Sequence, residues 1–222
     1  MEMTLGPGEP PAGPWRVEPI EMVTDTFAAA HMGVEGGPDR PLVVAVDGRS
    51  ASGKTSLAER LSAHVPGSVV VHTDDVAWHH SFFGWADLMR EGILEPLHRG
   101  EAVDYRPPAW DERGRDGSIT VPQGTPAVFI EGVGASRREL MQWVDAVVWV
   151  QSDRVRAEAL GIDRDGGDQA ARDFWNEWMA EEDPFLADQR PWDHADVIAA
   201  GNAETLPHDP AAQVVVAPPF EG

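Results

Sequence analysis

Residues 42–56, LVVAVDGRSASGKTS, are the stretch on which the fold turns. Leu42–Asp47 is a run of apolar and β-branched side chains, which by length and composition predicts a buried strand. Gly48–Thr55 then matches G-x-x-x-x-G-K-[ST], the phosphate-binding loop. That spacing has a chemical reason. The glycines let the backbone wrap so that successive N–H groups point inward at phosphate oxygens. The following helix, predicted over residues 56–65 with Leu57, Leu61 and Val65 on one face, offers its N-terminus to the anion. A chain of this composition would produce roughly 0.0007 chance matches to the pattern. Gly48, Ser50, Ala51, Ser52, Gly53, Lys54, Thr55 and Ser56 are therefore the candidate nucleotide-binding residues. Lys54 is placed to reach the β- and γ-phosphates of ATP, and the Thr55 hydroxyl to hold Mg²⁺.

Working outward, further apolar runs predict strands at Ser68–His72, Ala127–Glu131, Asp145–Val150 and Asp196–Ala199, with another strand or an extended arm at Gln213–Ala217. Helical spacing is read at residues 19–33, 82–96, 153–160 and 169–182, and near Ser136–Gln142. Glu101–Tyr105 and Ser118–Val121 read as short strands around a polar loop at residues 107–117. Strands alternating with helices predict an α/β fold with a parallel sheet covered on both faces. Ligands in such sheets bind at the carboxyl ends of the strands. Residues 1–40 read as a tail carrying one short helix, residues 1–14 of it disordered, and residues 41–222 as the folded domain.

The acids and arginines fall where that crevice should be. Asp74 and Asp75 follow the second of these strands, where a carboxylate could accept the proton of a substrate hydroxyl. Glu131 closes the run AVFI and precedes Gly132, the position of a Mg²⁺-side acid. Arg154, Arg156 and Arg164 sit on a helix that could close as a lid over about residues 153–170 and neutralise charge on the moving phosphoryl group, Arg164 being the leading candidate. The eight histidines show no metal-ligand spacing and read as non-catalytic, although His72 or His79 could line a pocket. Trp78, Trp85 and Trp110 could stack on a base or sugar, although core packing is the expected role for any one of them, and Trp175 and Trp178 read as packing residues.

Composition narrows the field. The chain has 222 residues, with 17 Lys plus Arg against 38 Asp plus Glu and a formal charge of −21. Such a balance argues against coating nucleic acid or an anionic membrane. No cysteine is present, which excludes disulfides, thiolate metal sites and cysteine nucleophiles. The acidic, Pro- and Gly-rich opening is unlike a secretory signal, and the apolar runs are too short for a bilayer, so a soluble cytoplasmic protein is expected. Sixteen of the 17 basic residues are arginine; the lone lysine is Lys54. Nothing in the sequence sets an oligomeric state.

The strand–GRSASGKTS–helix unit, then VVVHTDD, then FIEG, then the helix from Asp153 to the Arg164-Asp165 pair, resembles the uridine kinase-like group of P-loop kinases, to which nicotinamide riboside kinase belongs. Residues 183–198, ending in the Ala195-Asp196 strand start, resemble that group's closing segment, so the likeness covers about residues 42–200. The resemblance implies a P-loop NTP-binding fold and an ATP- and Mg²⁺-dependent kinase whose acceptor is a small molecule, a nucleoside or nucleoside-like compound. It implies Asp74 as base, Glu131 as Mg²⁺-side acid and a lid arginine among Arg154, Arg156 and Arg164. The group usually sets aromatic residues directly after the base; here Val76-Ala77-Trp78-His79-His80 follows. A phosphotransferase for another hydroxylated metabolite or an antibiotic, and a nucleotide-binding switch without acceptor, are the competing readings.

Overall fold

The structure, a computed structural model, describes residues 3–34, 36–202 and 206–220. In chain order it contains β1 (Arg16–Pro19), α1 (Ile20–Met32), β2 (Leu42–Gly48), α2 (Lys54–Ala63), β3 (Val69–His72), α3 (Thr73–Ala77) and α4 (Ala86–Met89). A π-helical turn (Arg90–Leu94) leads into α5 (Glu95–His98), β4 (Val103–Tyr105), α6 (Pro108–Arg113), β5 (Ile119–Val121) and β6 (Ala127–Glu131). A 3₁₀ turn (Arg138–Trp143) precedes β7 (Ala146–Gln151), α7 (Arg154–Arg164) and α8 (Gln169–Gln189); a second (Pro191–His194) precedes β8 (Val197–Ala200) and β9 (Gln213–Ala217).

The strands order as β1-β9-β8-β7-β2-β6-β3. The five from β8 to β3 are parallel, while β9 and β1 run antiparallel at one edge. β2 lies between β6 and β7 and is buried at every residue. Because successive side chains of a strand point to opposite faces, β2 sends Val43 and Ala45 into one core, with Val147, Trp149, Trp192 and Ile198. Leu42, Val44 and Val46 enter the other, with Leu57 and Leu61 of α2 and Ile20 and Phe27 of α1. Strands covered on both faces cannot alternate apolar with polar, which is why LVVAV, AVFI and AVVWV read as unbroken apolar runs. Each large aliphatic side chain so buried contributes about 1.5–3 kcal/mol. The fold class predicted from the sequence is the one observed.

Four local expectations need correction. Residues 1–14 are not a loose tail over the part described, residues 3–14: Glu9 is buried and bonded to Arg49, Trp149 and Gln151. Arg16–Pro19 is a strand that the sequence reading missed, because its half-polar RVEP matches an edge position rather than a core run. The polar loop at residues 107–117 holds α6, started by Pro108 at its first turn, where a missing N–H costs nothing. Its Trp110 is buried and donates Nε1 to the Asp75 carbonyl at 2.9 Å. The helix read over residues 82–96 starts four residues later and passes through the π turn, where Gly92 lies against the Tyr105 ring. No helix among the described residues is long and apolar enough to cross a membrane.

Candidate active site

The phosphate loop runs from the end of β2 into α2. Its shape depends on residues that tolerate unusual backbone angles: Gly53 at φ 98° caps α2, and Ala51 holds φ 57° without being glycine. A Cβ on Gly48 would lie 2.8 Å from the Val150 carbonyl oxygen of β7, a backbone atom that cannot swing away. Gly48→Ala should therefore cost about 1–3 kcal/mol of overpacking, read as a lowered melting temperature.

Buried carboxylates hold the loop from behind. Asp47 is fully buried and accepts from Gly48 N (2.7 Å), Gly134 N (2.9 Å), Ser136 N (2.9 Å) and Ser136 Oγ (2.8 Å). Burial pushes its pKa up, and those four donors pull it back. Glu182 of α8, also fully buried, accepts from Ser50 N at 3.2 Å, from Ser50 Oγ at 2.6 Å and from Trp178 Nε1 at 2.6 Å. On the other side of the loop, Asn202 Nδ2 donates to Ala51 O at 3.0 Å. Lys54 is the first residue of α2, nearly buried, and its Nζ donates to the Arg49 carbonyl at 2.9 Å.

In front of the loop is a cavity of about 540 Å³, well within the range of small-molecule sites. Ser50, Ala51, Gly53, Lys54, Thr55 and Ser56 line it, and so do Asp74, Glu131 and Arg164. Gly48 and Ser52 do not; Ser52 is buried beneath the loop and shapes it from inside. The register explains the convergence, since His72 at the end of β3 pairs with Glu131 at the end of β6, and Asp74 follows two residues later. His72 Nδ1 donates to Glu131 Oε2 at 2.8 Å.

The charges in the cavity tune one another. Asp74 has its pKa raised, first because cavity walls replace bulk water around it and then by the Glu131 charge, with Lys54 opposing. For Glu131, burial pushes up, but the His72 hydrogen bond and the Lys54 charge outweigh it and leave the carboxyl below its usual range. The same hydrogen bond holds His72 above the ordinary imidazole range, against desolvation. Asp75 is drawn away: it pairs with Arg115 at 2.6 Å, and Arg115 stacks on Trp110 with its guanidinium carbon 3.7 Å from the ring centre.

The three arginines expected on a lid separate as well. Arg164, at the end of α7, faces the cavity and is held by Asp165 at 2.9 Å. Arg154 is tied to Asp183 at 2.5 Å, and Arg156 is exposed; neither lines the cavity. The aromatic residues divide between core and cavity. Trp85 and Trp110 are core residues at 1% and 4% exposure, and only Trp78 of the three singled out reaches the cavity. Trp175 and Trp178 pack as read, Trp175 in a small core with Ile162 and Ala171, and both also line the cavity, with His79, Phe82 and Phe174. Phe82 and Trp178 meet edge to face with centroids 4.8 Å apart.

A strand–loop–helix phosphate loop at the carboxyl edge of a mostly parallel sheet, facing acids from two neighbouring strands and an arginine from a helical segment, defines a P-loop fold. Comparisons agree. A solved structure of a possible uridine kinase from Bacillus stearothermophilus superposes with a TM-score of 0.53 at 21% identity, covering 79% of this chain and 96% of that one. A structure described as a fructose transport system kinase from Silicibacter sp. TM1040 gives a TM-score of 0.53 at 17% identity, covering 77% and 92%. A tRNA dimethylallyltransferase of Myxococcus xanthus (strain DK1622) is 28% identical over 170 residues, 71% of this chain and 51% of that protein. The chain thus spans about half the length of that curated relative. No family model matches.

Proposed function

We propose that the protein is an ATP- and Mg²⁺-dependent small-molecule kinase of the uridine kinase-like group, moving the γ-phosphoryl group onto a hydroxyl of a nucleoside or nucleoside-like acceptor. The supporting observation is that Lys54, Thr55, Asp74, Glu131 and Arg164 line one cavity together with the aromatic side chains of Trp78, Phe82, Phe174, Trp175 and Trp178. Phosphoryl transfer asks little covalent chemistry of a protein and much positioning and charge neutralisation. The loop N–H groups and Lys54 would bind the phosphates, Asp74 would orient the hydroxyl and take its proton, and Arg164 would offset charge on the phosphoryl oxygens. The donor set suits Mg²⁺: Thr55, Asp74 and Glu131 offer hard oxygens. Among the described residues no group of three or more His, Cys, Asp or Glu is gathered to hold a metal by itself, which fits an ion shared between one or two carboxylates and substrate phosphates. Mg²⁺ bound there would neutralise phosphate charge. The acceptor would be a small molecule rather than a nucleic acid or a membrane, in keeping with the charge of −21.

The test is ATP consumption measured with and without a panel of nucleosides, hydroxylated metabolites and hydroxyl-bearing antibiotics. One class should accelerate turnover and gain a phosphate. Slow hydrolysis indifferent to the panel would make the protein a switch instead. The likeness to a tRNA dimethylallyltransferase carries a second reading, group transfer onto tRNA. The panel therefore includes tRNA with a dimethylallyl donor; modified tRNA would replace the kinase reading.

Trp78 lines the cavity while Trp85 and Trp110 sit in the core. Trp78→Leu should raise acceptor KM about 10-fold with ATP KM nearly unchanged, the signature of a lost stacking surface. Trp85→Leu should instead lower the melting temperature. Steady-state kinetics with both substrates varied, alongside thermal melts, checks both.

A further inference from the structure

Arg49, the second residue of the phosphate loop, points its side chain away from the cavity and is only 3% exposed. Its guanidinium donates Nε to Glu9 at 3.1 Å and Nη1 to Asp183 at 2.8 Å. Its neighbours in the chain are fixed too, Gly48 N by Asp47 and Ser50 N by Glu182. Its own carbonyl is the acceptor for Lys54 Nζ. The side chain of Arg49 is therefore one bonded step from the ammonium of the phosphate loop.

Glu9 belongs to a segment far from the loop in sequence. Its carboxylate has no exposed surface and accepts four donors: Arg49 Nε, Trp149 Nε1 at 2.8 Å, Gln151 Nε2 at 3.1 Å and Gly6 N at 3.4 Å. Gly6 packs so closely on the Arg49 guanidinium that any Cβ there would collide with it. The segment is held at both ends as well. Thr4 N donates to Asp153 Oδ2 at 2.8 Å, and Arg154 N donates to Thr4 O at 2.8 Å, at the start of α7. Ala12 N donates to Gln151 Oε1 at 2.9 Å. No residue of this segment lines the cavity.

We propose that residues 4–12 are part of the nucleotide site and that Glu9 is a positioning residue for the phosphate loop, acting through Arg49 on Lys54. Arg49 Nη2 is buried without a hydrogen-bond partner, so Glu9 and Asp183 carry the pairing of this guanidinium between them, and losing one leaves a buried charge held on one side only. Without Glu9, Arg49 keeps Asp183 but loses its Nε partner and the segment packed against it, so the guanidinium shifts within its pocket and strains the Arg49 carbonyl, on which both Lys54 Nζ and Ser52 N converge. The Asp183 link passes the same constraint to Arg154 of α7. The inference rests on the reading of the site as one that binds ATP.

The experiment is titration of a fluorescent ATP analogue into wild type, Glu9→Gln, Arg49→Met, the double variant, and Val23→Ala, a core substitution in α1. The wild-type titration alone tests the nucleotide reading: if wild type does not bind, that reading falls and the inference with it. With wild type binding, Glu9→Gln should raise Kd about 10-fold. In the Arg49→Met background the same change should add little, because the two act as one unit. Val23→Ala should lower the melting temperature and leave Kd alone. An unchanged Kd in a folded Glu9→Gln overturns the inference, as does full additivity with Arg49→Met. Should Glu9→Gln fail to fold, amide hydrogen exchange on wild type decides. Coupling is reciprocal, so ATP should slow exchange across residues 4–12; unaltered exchange overturns the inference.

Discussion

Lys54→Ala is expected to abolish phosphoryl transfer, a loss of about 10³-fold or more in kcat/KM, and to weaken ATP binding while the protein stays folded. Lys54 opens α2 at the mouth of the loop, and its Nζ spans to the Arg49 carbonyl. Removing it takes away the one lysine ammonium in the chain. The rest of the loop keeps its own supports: Asp47 on Gly48, Glu182 on Ser50 and Asn202 on Ala51. The melting temperature should move little, and thermal melts with ATP titration separate the two effects. Lys54→Arg should not restore activity, because a planar fork does not replace a compact ammonium at the end of a bent stem. Since Lys54 is unique, amine-directed labelling should reach only it and the α-amino group, and bound ATP should protect it. Retained transfer in Lys54→Ala would remove the phosphate-loop assignment.

The parts of this site that the sequence made legible share one property: each is written in a local pattern. The loop at residues 48–55 is a contiguous motif, and Asp74 and Glu131 are acids set at the ends of apolar runs. Strand ends in a parallel sheet lie along one edge, so local pattern was enough to bring them together. What sequence reading missed depends on distant chain segments. Glu9, Arg49 and Glu182 meet only after the segment before β1, the phosphate loop and α8 converge, and no spacing rule connects positions 9, 49 and 182. Asp47 did carry a signal, a lone acid closing an apolar run before a glycine, the same signal that marked Glu131. His72 carried one through register, because two parallel strands that end level pair their last residues. The packing of Trp85, Trp110 and Trp175 was legible, but the cavity wall was not, for a simpler reason. Trp175 and Trp178 at i and i+3 share one helix face, and period alone does not say whether that face meets a core or a cavity.

Asp74→Asn is expected to lower kcat by about 10² to 10⁴, the usual range for losing a general base, with a much smaller loss of ATP affinity, because Thr55, Glu131, Lys54 and the loop N–H groups still face the ion and the phosphates. A neutral hydroxyl is a poor nucleophile, and its proton must leave as the new P–O bond forms. Asp74 opens onto the same cavity as Lys54 and Arg164, where a carboxylate can both orient that hydroxyl and take its proton. Asparagine keeps the shape and removes the basicity. The pH profile supplies a second readout. The base works only when deprotonated, and enclosure by the cavity walls with Glu131 nearby raises its pKa above the ordinary 3.8. The acid limb of the acceptor kcat/KM should therefore lie above that value, with activity rising as pH increases through it, and Asp74→Asn should erase the limb. Asp75→Asn should cost much less in rate, because Asp75 is committed to Arg115 at 2.6 Å and its carbonyl to Trp110; its loss should show instead as a lower melting temperature. If the two variants ranked the other way, the base would move one residue along and the mechanism would stand. If both kept full activity, proton transfer would have no residue in this site, and positioning with charge neutralisation would have to carry the whole of catalysis.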